Sequence, residues 1–112
     1  MIRGEMDGDV RVLTLDRPDR RNALTPEMLG ELVGAIEASA GARAVCVLGA
    51  GEVFCAGFDL RRCAEDGSGE SLRSLLTGLS GAIRGLRALE AGVVIGAQGG
   101  AIAGGAALLG GG

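Results

Sequence analysis

The chain has 112 residues, 22 of them glycine, a net charge of −3 and a hydrophobic fraction of 47%, enough for one small domain. Its only aromatic residues are Phe54 and Phe58, all 11 basic residues are arginine, and histidine and lysine are absent. The absences exclude Ser-His-Asp and Cys-His catalysis, histidine metal ligands, a Walker A loop and a Schiff-base lysine, and the acidic balance offers nothing to draw the chain to nucleic acid or an anionic membrane.

The core must come from Leu, Val, Ile and Ala. Cys46, Cys55 and Cys63 are odd in number and lack Cys-x-x-Cys spacing. They read as reduced thiols of an intracellular, cytoplasmic protein, with no disulfide framework and no metal site. Cys46 sits in an apolar run and is expected to pack as a small hydrophobe. Cys55 lies in a glycine loop, where a nucleophile is conceivable, but the chain supplies no obvious base for it. Glu5, Asp7 and Asp9 close behind Met1 do not fit a signal peptide.

In chain order, Ile2 to Met6 and Val10 to Leu15 predict two strands joined by a hairpin at Asp7-Gly8. Asp16 to Asn22 is a polar loop, and Pro18 rules out a continuing central strand. Arg17, Arg20 and Arg21 are its basic cluster, either solvated or placed to meet phosphate oxygens. Thr25-Pro26-Glu27 predicts a helix start: a cap, a Pro at the first helical position, and an acid at the positive end of the dipole. Leu29, Leu32, Val33 and Ile36 give that helix one apolar face, and Gly41 is a plausible stop. Ala44 to Leu48 then predicts a fully buried strand. Strand, helix and buried strand in succession argue for a right-handed α/β unit.

The stretch Gly49 to Leu60 follows. Its Gly49-Ala50-Gly51 begins like a dinucleotide fingerprint, but Phe54 stands where the third glycine belongs. A strand that ends in a glycine loop, with Asp59 placed to cap the next helix, leaves free N–H groups. Such groups bind anions or stabilise a developing oxyanion. A short helix is expected to start at Asp59 to Cys63, and Glu65 to Gly69 interrupts it. Leu72, Leu75, Leu76, Leu79, Ile83 and Leu86 mark the apolar face of a longer helix. Gly78, Gly81 and Gly85 weaken that helix by about 1 kcal/mol each against Ala, unless they admit a close neighbour. Gly92 should end it, with a second buried strand over Val93 to Ala97. Gln98 to Leu109 repeats the pattern of strand, glycine loop and apolar helix start, with a second cluster of free N–H groups expected near Gly104. The chain stops at Gly112 inside that expected helix, which reads as a cut.

Three blocks now stand in order: Leu15 to Leu24, Phe54 to Leu60, and Gln98 to Gly105. Together they resemble the crotonase superfamily, the enoyl-CoA hydratase/isomerase group, along nearly the whole chain. The resemblance implies the N-terminal part, less than half, of a single family domain over residues 1–112. The fold implied is α/β: a crotonase-like (ClpP/crotonase) spiral of repeated β-β-α units, usually assembled as homotrimers or hexamers. It implies acyl-CoA thioester substrates of the kind met in fatty acid metabolism, with coenzyme A entering as part of the substrate and no separate cofactor. By position, the backbone N–H groups of Phe58 and Gly104 would form the oxyanion hole. Arg21, Asn22, Ala23 and Leu24, with Ala56, Asp59 and Leu60, would lie along the CoA moiety.

Two departures bear on the reaction. Hydratases of the family carry a glutamate two residues after the glycine run, and Ala107 stands there. Their second glutamate would lie beyond Gly112, and Glu90 is not placed to replace either. The parent is expected to be an enzyme and this chain alone to be inactive. Two other readings stay open. One is a non-catalytic, crotonase-like binding or assembly protein. The other is a glycine-zipper membrane peptide, because Ala91 to Gly112 is uncharged with Gly92, Gly96, Gly100 and Gly104 at G-x-x-x-G spacing.

Overall fold

The computed structural model describes residues 1–67, 69–89 and 92–96. Strand β1 (Ile2–Asp7) turns into β2 (Val10–Leu15), followed by a single 3₁₀ turn at Pro18–Arg20. Helix α1 (Pro26–Glu37) leads to β3 (Ala44–Gly49), then α2 (Leu60–Glu65), α3 (Glu70–Ala88) and β4 (Gly92–Gly96). The sheet order is β1-β2-β3-β4, with β1 antiparallel to β2 and the other neighbours parallel. Strands β1 and β2 and helix α1 thus form a β-β-α unit, and the return strand β3 leads through a second helical crossover to β4.

Local chemistry explains the elements. Gly8 takes φ +63° at the first of the two hairpin positions, a conformation that costs glycine nothing. Thr25 caps α1, its hydroxyl accepting the Met28 N–H at 3.2 Å, and Pro26 follows at the first turn. The Asp59 carboxylate caps α2 by accepting the Arg62 N–H at 3.1 Å. Helix α1 stops at Glu37, short of Gly41, which takes φ +95° in the turn beyond.

One side of the sheet carries the core. Leu13, Leu15, Val45 and Val47 face Leu29, Leu32 and Ile36 of α1 and Leu75, Leu79 and Leu86 of α3. The expectation of fully buried strands is corrected for both β3 and β4. Strand β3 alternates half-buried and buried residues, and Val94 of β4 is 60% exposed. Among the described residues the helices cover one face only, so period-two alternation is what burial can produce. The residues Gly92–Gly96 form a strand, which removes them from a membrane helix: β-branched Val93, Val94 and Ile95 pair with Val45, Cys46 and Val47. Among the described residues no helix is long and apolar enough to cross a membrane.

The face of α3 also differs from its sequence pattern. Leu75, Leu79, Ala82 and Leu86 are buried, whereas Leu72 and Leu76 are 44% and 52% exposed and Ile83 is half-buried. The glycines explain the rotation. A Cβ at Gly78 would lie 2.8 Å from Leu29 Cβ, and one at Gly85 would lie 3.1 Å from Ile36 Cγ2. The bare glycine stripe lets α3 settle against α1, turning Ala82 inward and Leu72 and Leu76 out. At Gly81 the nearest atom, Val33 Cγ2, would be 3.6 Å away, ordinary contact distance. Substitutions should therefore split by sign. Gly81→Ala should gain helix propensity and stabilise by up to about 1 kcal/mol. Gly78→Ala should lose more to overpacking, for a net destabilisation of about 1–2 kcal/mol. Urea midpoints moving the same way for both would refute the close-packing account.

Candidate functional site

The parallel strands β2 and β3 end side by side, Leu15 opposite Gly49, so the loops that follow them are delivered to one edge. The first loop, residues 16–25, turns through two consecutive left-handed residues, Arg21 at φ 54° and Asn22 at φ 57°. Asparagine tolerates this conformation better than most residues. The second loop, residues 50–59, has Gly51 at φ +80° and Gly57 at φ +90°. A side chain at Gly49 would strike the backbone of Phe54, with Phe54 Cα only 2.7 Å from its Cβ. The loop can fold back on its own strand only with glycine there.

Asn22 joins the two loops. It is completely buried, and its Nδ2 donates to the carbonyls of Ala50 at 2.9 Å and Val53 at 2.8 Å. Its Oδ1 accepts the Arg17 N–H at 2.8 Å. Ala56 N–H donates to Arg21 O at 3.0 Å, and the Cys55 thiol donates to Asn22 O at 3.3 Å. Cys55 is fully buried, and burial pushes its thiol pKa up despite a backbone hydrogen bond from Gly57. It holds the loop and has no features of a nucleophile.

A short parallel bridge between Leu24 and Phe58 completes the unit. Leu24 N–H donates to Gly57 O at 2.7 Å, and Asp59 N–H donates to Leu24 O at 2.8 Å. In a parallel ladder, a residue whose two neighbours make these bonds turns its own N–H to the opposite side. Phe58 is that residue, and among the described residues its N–H has no hydrogen-bond partner.

Arg17 braces the bridge from the side. Its guanidinium donates to Ala23 O at 2.9 Å and lies 2.9 Å from Asp59 Oδ2, with side chains only 20% and 14% exposed. Burial opposes ionisation of Asp59, but the Arg62 N–H, the Arg17 hydrogen bond and the charges of Arg17 and Arg20 outweigh it. The carboxyl is therefore held below its ordinary pKa. Arg62 in turn pairs with Glu27 at the start of α1, and that hydrogen bond lowers the Glu27 pKa.

The expected site residues that the structure describes lie in these two loops and at the start of α2, with different exposure. Arg21 is exposed, Ala23, Ala56, Phe58 and Asp59 are half-buried, and Leu60 is 75% exposed. Asn22 and Leu24 have no exposed surface, and their side chains pack within the loops. Gly104 lies outside the described residues, as does Ala107. Sequence reasoning missed Arg17 as a brace. Its only signal was that Asp59, as a cap, would bring a half-buried charge in need of a partner. A cleft of about 190 Å³ lies beside this brace, lined by Arg17, Arg20, Asp59, Arg61, Arg62 and Glu65. Among the described residues no group of His, Cys, Asp and Glu could hold a metal ion.

Known proteins are similar to this chain in sequence and fold. The profile described as enoyl-CoA hydratase/isomerase matches residues 5–109. Enoyl-CoA hydratase EchA19 of Mycobacterium tuberculosis is 33% identical over 111 residues, covering 94% of this chain and 41% of that protein. The crystal structure of an enoyl-CoA hydratase from Polaromonas sp. JS666 superposes with a TM-score of 0.84 at 31% identity, over 97% of this chain and 45% of that one. An enoyl-CoA hydratase/isomerase from Xanthobacter autotrophicus Py2 superposes at 0.83 with 35% identity, over 96% and 42%. The chain thus spans less than half the length of these relatives. The fold is the crotonase-like α/β fold, and the chain belongs to the enoyl-CoA hydratase/isomerase family.

Proposed function

We propose that this chain binds acyl-CoA thioesters and polarises the thioester carbonyl with the Phe58 N–H, the Gly104 N–H serving as the second donor. The observation that supports it is the unpartnered Phe58 N–H, turned outward by the Leu24–Phe58 bridge and held by bonded residues on both sides. A donor fixed before the ligand arrives needs no reorganisation to meet a developing negative charge. The Arg20 guanidinium makes no hydrogen bond and no ion pair within 4 Å among the described residues, and Arg61 meets Glu65 only at 4.0 Å. Both line the cleft beside Asp59 and are available to phosphate oxygens of the CoA moiety, next to Arg21. Coenzyme A would be part of the substrate, with no separate cofactor. The compartment would be the cytoplasm, and further copies of the chain would be partners in a trimer or hexamer, open to a test by sedimentation.

The test is infrared difference spectroscopy of a carbonyl-labelled acyl-CoA bound to the chain. The thioester stretch should move to lower frequency on binding. Replacing the Phe58 amide by an ester, through an α-hydroxy acid at that position, removes only the N–H and should reverse most of that shift. Failure to bind any acyl-CoA, or a shift unaltered by the ester, would overturn the proposal.

Ala107 favours a second reading, a crotonase-like binding protein without turnover, because a methyl group cannot act as acid or base. Crotonyl-CoA hydration by these 112 residues should be poor or absent. Robust hydration would eliminate the second reading, whereas binding with no turnover of any acyl-CoA would select it over the enzyme.

A further inference from the structure

Three arginines are partly buried: Arg11, Arg17 and Arg62. Two have carboxylate partners, Asp59 and Glu27. Arg11 has neither an ion pair nor a side-chain hydrogen bond among the described residues, and its Nε is buried without a partner. Its guanidinium lies over the backbone of β1, since a Cβ at Gly4 would sit 2.6 Å from Arg11 Nη2. Glycine at position 4 is what lets it lie there. Arg11 also lines a cleft of about 380 Å³, together with Met6, Asp9, Arg43 and the turn 38–42. This cleft is at the start of β2 and β3, the end of the sheet away from the Phe58 loop.

We propose that this cleft is a second binding site, for a small oxyanion, with Arg11 as the principal ligand and Arg43 at the rim. A guanidinium presents five donors in a plane and is matched by the paired oxygens of a phosphate or carboxylate. Leaving such a group half-buried and unpaired is costly, so an acceptor that reaches it gains more than it would at an exposed side chain. The local charge permits it. Arg11 and Arg43 against Asp9, whose carboxylate is 3.8 Å from Arg43, leave one net positive charge. The carbonyl end of α1 opposes an anion with about half an elementary charge, less than that surplus. The site is independent of the acyl-CoA reading.

The experiment is a ¹H–¹⁵N titration of the full chain with inorganic phosphate and, separately, with acetate. Saturable shifts at the Arg11 Nε–H and the amides of residues 39–43 are expected. Arg11→Gln should weaken that binding at least about tenfold, as loss of a charge-assisted hydrogen bond implies, and Arg11→Lys should retain part of it. A response to phosphate with acetate inert assigns the site to phosphate; a response to acetate assigns it to carboxylates. No saturable shift there, shifts confined to Arg20, Arg21 and Arg61, or affinity unchanged in Arg11→Gln would each overturn the proposal. Should Arg11→Gln fail to fold, Arg43→Gln decides: weaker binding supports the site, and unchanged binding overturns it.

Discussion

Asn22→Ala should destabilise the chain by about 3–4 kcal/mol, more than any other single truncation in the loops. Each neutral hydrogen bond contributes about 1 kcal/mol net, and burying the orphaned partner costs more than losing the bond. Three partners are orphaned together: the carbonyls of Ala50 and Val53 and the N–H of Arg17. The left-handed backbone at φ 57° adds about 1 kcal/mol against alanine. Asn22→Gly separates the two effects, since glycine keeps the backbone conformation and loses only the bonds. Asn22→Asp keeps the acceptor for Arg17 but turns a carboxylate oxygen on two carbonyl oxygens, so at neutral pH it should be no better than alanine. Against a total stability of about 5–15 kcal/mol, the loss is visible in any urea unfolding curve. An alanine variant within 1 kcal/mol of wild type would show that the loops stand without this residue. If they do not, the acyl-CoA binding proposed above should fall as well, although Asn22 has no exposed surface.

That role of Asn22 in holding the loops was only partly legible in the sequence. The hairpin, the Thr25 cap, the Asp59 cap and the glycine loop after β3 have local signatures, because much of their chemistry is satisfied within a few residues. The three-block resemblance gave the family. Non-local facts were not legible. Asn22 reaches residues 28 and 31 positions away, and nothing near it in the chain announces that. The face of α3 was misjudged for a similar reason. Helical periodicity counts large apolar residues, but here the absence of side chains at Gly78 and Gly85 decided which face met α1. Full burial of β3 and β4 was expected from apolar runs alone, which do not say how many faces are covered. Glycine content suggested free N–H groups in the loop after β3, and the resemblance, by position, singled out that of Phe58. The Leu24–Phe58 bridge supplies its geometric reason, and that bridge joins segments that no periodicity connects.

Asp59 should supply the second largest loss, and its pH dependence has a definite sign. The carboxylate has two jobs: Oδ1 accepts the Arg62 N–H as the α2 cap, and Oδ2 pairs with Arg17. Asp59→Ala removes both and should cost about 2–3 kcal/mol, about 1 from the cap and the rest from the charge-assisted bond. Asp59→Asn keeps the cap, since asparagine serves as well there, and so isolates the pairing with Arg17. Folding holds the Asp59 pKa below its unfolded value of about 3.9. The stabilisation is therefore complete above that unfolded value and is lost as pH falls through the lower folded one. The gap between wild type and Asp59→Asn should stay constant from neutral pH down to about pH 4 and close below it. Glu27 is lowered in the same direction by Arg62, so the pairwise difference at each pH, rather than the raw acid transition, reports on Asp59. Because Asp59 directly follows Phe58, the same substitution should loosen the donor. The Leu24 amide, which donates to Gly57 O across the bridge, should lose protection relative to its intrinsic exchange rate in Asp59→Asn at neutral pH and in wild type only at acid pH. A gap that widened on acidification, or protection at Leu24 indifferent to the substitution, would detach the Arg17 brace from the Leu24–Phe58 bridge.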